Sequence, residues 1–160
     1  MKVQLGFYKG SAWFDILEML FNNFRRETHV CIIFRDNGNV FKYEARMKYG
    51  VIRTDIMNYE GHWTLDIYDI DNISDEDAHK LLEWCKRQTD RKVKYDYTGI
   101  LSFVIRWLRQ DPSRYFCSEF VMDAFKYINK PLLNKRSYKT KPSTIVRLCD
   151  KINLVEVIKN

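Results

Sequence analysis

A chain of 160 residues, 46% of them apolar and 15% aromatic, carries enough hydrophobic matter for one buried core, which excludes a disordered segment or a scaffold that needs staples. Its 27 lysines and arginines against 21 aspartates and glutamates give a net charge of +6, a surface able to attract anions, but no groove-reading nucleic-acid motif accompanies it. Only six glycines and three prolines occur and no linker or repeat is evident, so residues 1–160 read as a single domain.

Met1–Tyr8 lacks the apolar stretch and cleavage site of a signal peptide. The pattern then predicts a helix over about 12–24 and strands over 29–35 and 40–45, separated by the hairpin signal Asp36-Asn37-Gly38-Asn39. A short strand near 50–53 and another over 64–69 follow. Helices are expected over 75–89, where Ser74 and Asp77 read as a cap, and over 98–109, 117–129 and 142–149, before a last strand over 154–157. Strands early and helices late argue for an α+β fold with an antiparallel sheet. The most apolar run, Gly99–Leu108, is far shorter than the roughly 20 residues of a membrane span and contains Arg106. The four cysteines (Cys31, Cys85, Cys117 and Cys149) form no Cys-x-x-Cys pair, as in proteins kept reduced. A soluble, cytoplasmic protein without cofactor is expected.

Cys117 stands where a loop marked by Asp111, Pro112 and Ser113 gives way to an amphipathic helix, whose buried face is Phe120, Val121, Ala124, Phe125 and Ile128. A thiol in a first helical turn meets the positive end of the helix dipole, which favours the nucleophilic thiolate. The bland reading is a buried small hydrophobe. A nucleophile needs a base, and there are three histidines. His79 falls beside the buried stripe of its helix and reads as a surface residue, and His62 follows Gly61 in a loop. His29 opens the first strand of the hairpin. With Asn37-Gly38 as the turn, Cys31 lies opposite Glu44 and His29 opposite Arg46. Val30, Ile32, Phe34, Phe41, Tyr43 and Ala45 then share one face, and His29, Cys31, Glu44 and Arg46 the other. His29 and Glu44 become diagonal neighbours about 7–8 Å apart along the backbone. A carboxylate there can orient an imidazole. The competing reading is a solvent-exposed polar face with a Glu44–Arg46 or Glu44–Lys42 charge contact. A zinc site from His29, Cys31 and Cys117 lacks the second closely spaced ligand pair that structural zinc sites show.

Thr28-His29-Val30, Glu44, Tyr95-Asp96-Tyr97, Tyr115-Phe116-Cys117-Ser118-Glu119-Phe120-Val121 and the late Lys141-Pro142-Ser143-Thr144-Ile145 resemble the circularly permuted papain-fold hydrolases, NlpC-like enzymes of the YiiX/YaeF branch, in which histidine precedes cysteine along the chain. The resemblance covers residues from about 10 to 149. It implies a permuted papain-like fold, its antiparallel sheet packed against the nucleophile helix, with Cys117 as nucleophile, His29 as base and Glu44 as the orienting residue.

The expected activity is a cysteine hydrolase, an amidase, peptidase or acyl-ester hydrolase, working through a thioester. The alternatives are an acyltransferase or lipid-directed thiol enzyme, and a binding module without turnover. Tyr95, Tyr97 and Ser118 are candidates for contact with a small-molecule, peptide or lipid substrate, although the tyrosines can equally be packing residues. Basic residues gather at Arg91-Lys92-Val93-Lys94 and again at Lys130, Lys135, Arg136, Lys139 and Lys141. The second group suggests contact with an anionic surface or nucleic acid, against the alternative of an ordinary solvated face.

Overall fold

The computed structural model describes residues 1–10, 27–56, 63–101, 111 and 113–159. Among the described residues there are six strands: β1 (Lys2–Gly10), β2 (Glu27–Asp36), β3 (Asn39–Arg46), β4 (Gly50–Asp55), β5 (Trp63–Ile70) and β6 (Ile152–Lys159). They form one sheet in the order β4-β3-β2-β1-β5-β6, every neighbouring pair antiparallel. The helices are α1 (Asp75–Asp90), α2 (Tyr97–Leu101), α3 (Cys117–Tyr127) and α4 (Pro142–Leu148), with a 3₁₀ turn at Ser137–Lys139. The architecture is therefore α+β around an antiparallel sheet. The helix expected over 12–24, most of the one expected over 98–109, and His62 lie outside the described residues. Among the described residues, no helix is long and apolar enough to cross a membrane.

The β2–β3 hairpin has the register that its hydrophobic pattern demands, with Ile32 opposite Tyr43 and Phe34 opposite Phe41. Asn37 and Gly38 both take positive φ (48° and 83°), the type I′ geometry whose twist matches that of the flanking strands. Sequence reading assigns no strand before residue 29, yet β1 is a central strand, held between β2 and β5. Val3, Leu5 and Phe7 alternate into the main core, and Tyr8 joins a second apolar cluster with Cys31, Ile33 and Trp63. The last strand also runs longer than its central apolar residues suggest, because pairing with β5 continues to Lys159.

α1 and α3 bury the faces that their periodicity marks. Ser74 caps α1 by accepting from the Asp77 N–H at 3.1 Å. On α3, Phe120, Val121, Ala124 and Phe125 are fully buried, and the Trp84 ring of α1 stands 5.3 Å from Phe120. Truncating a phenylalanine in such a core costs about 3–5 kcal/mol.

A short segment fixes α3 relative to the sheet. The Val51 N–H of β4 donates to the Val93 carbonyl at 2.8 Å, the Tyr115 N–H to Lys94 at 3.2 Å, and the Asp96 N–H to Tyr115 at 3.0 Å. Residues 93–96 thus bind the start of β4 on one side and the approach to Cys117 on the other. Gly50 makes the first contact possible, since its φ is +74° and a Cβ there would lie 2.2 Å from the Val93 carbonyl oxygen. Gly50→Ala is expected to destabilise the protein by about 1–3 kcal/mol, read as a lowered urea midpoint, because both the backbone conformation and the Val51–Val93 contact are lost. An unchanged midpoint would mean that this tie is dispensable.

Candidate active site

His29 and Glu44 come from adjacent strands, and the hairpin register brings them to one place. His29 Nε2 lies 2.7 Å from Glu44 Oε2, with the two side chains 3% and 0% exposed. The Cys117 thiol, at the start of α3, is hydrogen-bonded to the same imidazole. With Nε2 engaged by the carboxylate, the other ring nitrogen is the one available to the thiol. Cys117, His29 and Glu44 therefore form one buried line of polar contacts. This geometry rules out the solvent-exposed reading of the His29 strand face.

The competing charge contact nevertheless exists, inside the protein. Lys42 is 0% exposed, and its Nζ donates to Glu44 Oε1 at 3.0 Å. Thr54 Oγ1 donates to the same oxygen at 3.1 Å. Lys42 also donates to the Tyr8 hydroxyl at 2.8 Å, and that hydroxyl donates to the Ile56 carbonyl at 2.8 Å. Both oxygens of Glu44 are thus occupied by donors. Lys42 was legible as a charge partner, but a lysine in a strand gives no sign of complete burial. Tyr8 and Thr54 had no signal beyond their place in neighbouring strands.

Electrostatics follow from these contacts. Burial opposes charge on His29, but the Cys117 and Glu44 hydrogen bonds and charges outweigh it and raise the imidazole well above its ordinary 6.5. Burial would likewise raise Glu44, yet His29 and Lys42 together hold its carboxyl well below the usual range. Burial pushes Cys31 up to about 12 and also raises Cys85 and Cys149.

Phe116 supplies no side-chain cap to α3. Glu119, in the first turn, instead accepts from the Phe116 backbone N–H, half of a capping box. Burial, with Asp123 and Asp96 nearby, raises Glu119 to about 8. At neutral pH it is mostly the neutral acid, so the thiol turn does not carry its negative charge.

The remaining candidates divide. Tyr95 is buried, paired by its backbone with Tyr115 and packed edge-on against Tyr97 with ring centres 5.2 Å apart. Tyr97 is exposed, and its hydroxyl accepts from the Lys48 backbone N–H at 3.0 Å. Ser118 is buried and donates its hydroxyl to the Thr140 carbonyl at 2.6 Å, tying α3 to the segment after it. His79 is exposed on α1. In the second basic group, Lys130 pairs with Asp77 at 3.3 Å, and Arg136 donates to the Tyr138 hydroxyl at 2.9 Å. Lys139 lies 5.8 Å from the Tyr138 ring centre. Lys135 is exposed, and the half-buried Lys141 stands at the N-cap position of α4 without a side-chain capping hydrogen bond.

No protein-family model matches the chain, and no curated protein does. Among solved structures it is similar to metalloprotein yiiX from Escherichia coli O157:H7, with a TM-score of 0.67 at 14% identity over 98% of this chain and 96% of that one. At that identity the likeness is one of fold.

Two predictions follow from the buried line. Lys42→Met removes the cation from one oxygen of the buried Glu44 carboxylate and is expected to cost about 3–5 kcal/mol in urea unfolding, whereas Lys42→Met with Glu44→Gln, which also removes the buried negative charge, costs less. Equal losses would show that Lys42 serves packing alone. For pH, Glu44 with its depressed value contributes stability in full above its ordinary 4.5, lost as pH falls through the folded value. His29 with its raised value contributes in full below 6.5, lost as pH rises through the folded value. The pair's contribution is therefore greatest between these two pH values. Glu119, raised to about 8, adds a decline as pH climbs from 4.5 through that value, because the unfolded chain ionises first. Unfolding measured across pH is expected to show a shallower alkaline decline in both His29→Gln and Glu119→Gln.

Proposed function

We propose that the protein is a cysteine hydrolase acting on an amide or ester carbonyl, built on a permuted papain-like frame of the YiiX/YaeF branch. The observation that carries this reading is the line Cys117–His29–Glu44, with its thiol at the start of a helix and its carboxylate buried and fully engaged. A thiol that serves only as packing needs neither the imidazole nor the carboxylate. The order of elements, histidine strand first and cysteine helix last, and the likeness of fold to yiiX lend support.

In this reading His29 takes the Cys117 proton, and the raised imidazole favours a thiolate–imidazolium pair. The thiolate attacks the substrate carbonyl. A backbone N–H of the first turn of α3 stabilises the oxyanion, since that turn carries the positive end of the helix dipole and no side-chain cap. The imidazolium then gives its proton to the departing amine or alcohol, leaving a thioester on Cys117. Water, deprotonated by His29, attacks the thioester, and the acid departs as the thiol is regenerated. Glu44 keeps Nε2 of the ring and so presents the opposite nitrogen to the thiol. An acyltransferase would share every step to the thioester and differ only in the acceptor.

The neighbouring structure is called a metalloprotein, but the residues here do not fit a metal ion. The cationic position beside Glu44 is taken by the Lys42 ammonium, and the Cys31 thiol is donated to the Gly6 carbonyl and held protonated by burial. Among the described residues, no group of three or more His, Cys, Asp or Glu side chains could hold one.

Iodoacetamide is expected to label Cys117 at pH well below a free thiol's pKa of about 8.5, ahead of the three thiols whose burial keeps them protonated. Equal labelling of all four cysteines would remove the case for an activated thiol. Turnover of an ester or amide substrate is expected to vanish in Cys117→Ala and His29→Ala and to fall less in Glu44→Gln. It should survive in His79→Ala and His62→Ala. A silent His62 variant beside an active His29 variant would move the base to His62.

A further inference from the structure

The protein has a cavity of about 330 Å³ whose lining includes Lys48, Lys92, Lys94 and Arg114 but no carboxylate. Tyr49, Gly50, Tyr95 and Tyr97 line the rest of it. Its size is at the small end for ligand sites, roughly 300–1,000 Å³. Lys92 and Lys94 are exposed and make no ion pair with any described residue. Arg114 pairs with Asp111 through Nε at 2.9 Å. Tyr97 accepts from the Lys48 N–H, so its own hydroxyl proton is available to donate. Like charges gathered around a concave wall repel one another and focus a positive potential into the space between them.

The walls are built from backbone that the fold already fixes. Lys48 lies in the β3–β4 turn, at the sheet end where β2 presents His29. Lys94 and Tyr95 are bonded to Tyr115, two residues before Cys117. The Val51–Val93 hydrogen bond joins these two walls. A ligand in the cavity therefore rests against backbone that is hydrogen-bonded to Tyr115, two residues before Cys117.

We infer that this cavity is a phosphate subsite, and that the acyl substrate of Cys117 carries a phosphomonoester close to its scissile carbonyl. The inference rests on the cysteine hydrolase reading for its second half. Several cations and a phenol around one small space suit a dianion with three terminal oxygens. A carboxylate has two oxygens and would leave part of that charge unmatched. The phosphate's role is to hold the substrate so that its carbonyl reaches the thiolate. One chemistry has two sources here, a soluble acyl phosphoester or the headgroup of a lipid such as phosphatidic acid.

The test is binding to Cys117→Ser protein, in which no thiol chemistry can interfere. One arm titrates glycerol phosphate; the other titrates phosphatidylcholine vesicles with and without phosphatidic acid. Binding in either arm that weakens with added salt, and roughly ten-fold or more in Lys92→Gln/Lys94→Gln, supports the site. Tyr97→Phe, which removes only a hydroxyl, is expected to weaken binding several-fold with the same fold retained. A response to glycerol phosphate identifies a soluble substrate, and a response only to phosphatidic acid vesicles identifies a headgroup. No binding in either arm, or binding untouched by these substitutions, overturns the subsite. The hydrolase reading is judged separately by iodoacetamide, an uncharged probe. A Cys117 that labels selectively in a protein deaf to phosphate sinks the subsite alone. Phosphate binding in a protein whose Cys117 is inert sinks the enzyme and the substrate assignment.

Discussion

A carboxylate removed from water is tolerated only when donors replace its hydration on every side, and Glu44 meets that condition through three residues. His29 takes one oxygen, and Lys42 and Thr54 take the other. This constraint shapes the surroundings. Lys42 in turn is buried, so it needs the Tyr8 hydroxyl, and Tyr8 needs the Ile56 carbonyl. Four adjacent strands, β1 to β4, are thereby joined through polar side chains. A register slip of one residue in β3 would move Glu44 and Lys42 to the opposite face together, which makes the network as strict a judge of pairing as the core is.

The same network sets the charge of the proposed catalytic line. A thiolate, an imidazolium and a carboxylate carry one net negative charge, and an unneutralised carboxylate would stabilise the imidazolium so strongly that its opposite nitrogen would release a proton less readily. Lys42 pairs with the far oxygen and offsets part of that charge, while Glu44 still raises the imidazole through its hydrogen bond and its charge. Glu119 contributes to the same end from α3, because burial keeps it largely protonated at neutral pH beside a turn where a negative charge would oppose the thiolate.

How much of this could be read from the chain depends on how local the determinant is. The hairpin register was legible because Asn37-Gly38 sets the turn and the apolar alternation on both strands agrees with it. The face of α3 was legible because Phe120, Val121, Ala124 and Phe125 repeat at the helical period. β1 was not assigned, although Val3, Leu5 and Phe7 alternate, because no hairpin signal follows it and its partners β2 and β5 begin only at Glu27 and Trp63. Burial of Lys42 was not legible for a related reason. A lysine in a strand has the same pattern whether its end meets water or Glu44, and only the assembled sheet decides. Ser118 shows the reverse case, where a position beside the thiol suggested substrate contact and the hydroxyl is spent on Thr140.

The placement of Cys117 depends on a part of the chain with little pattern of its own. Residues 93–96 form no long element, yet they accept from Val51, accept from Tyr115 and return a hydrogen bond to Tyr115. The sheet that carries His29 and Glu44 is thus linked by backbone to the loop that delivers the cysteine. A side-chain contact between them would have left α3 free to shift with rotamers; backbone hydrogen bonds on both sides of one short segment do not. Gly50 and Gly99 mark the two ends of this tie. A Cβ on Gly50 would meet the Val93 carbonyl, and one on Gly99 would lie 2.4 Å from Asp96 Oδ2 and 2.9 Å from the Phe116 ring. Close approach at both glycines lets the segment lie against the sheet edge and the start of α3 at once, and the proposed phosphate cavity occupies the space beside it. Positioning the thiol and shaping the cavity are consequently the work of one stretch of backbone, so displacing that stretch would disturb both together.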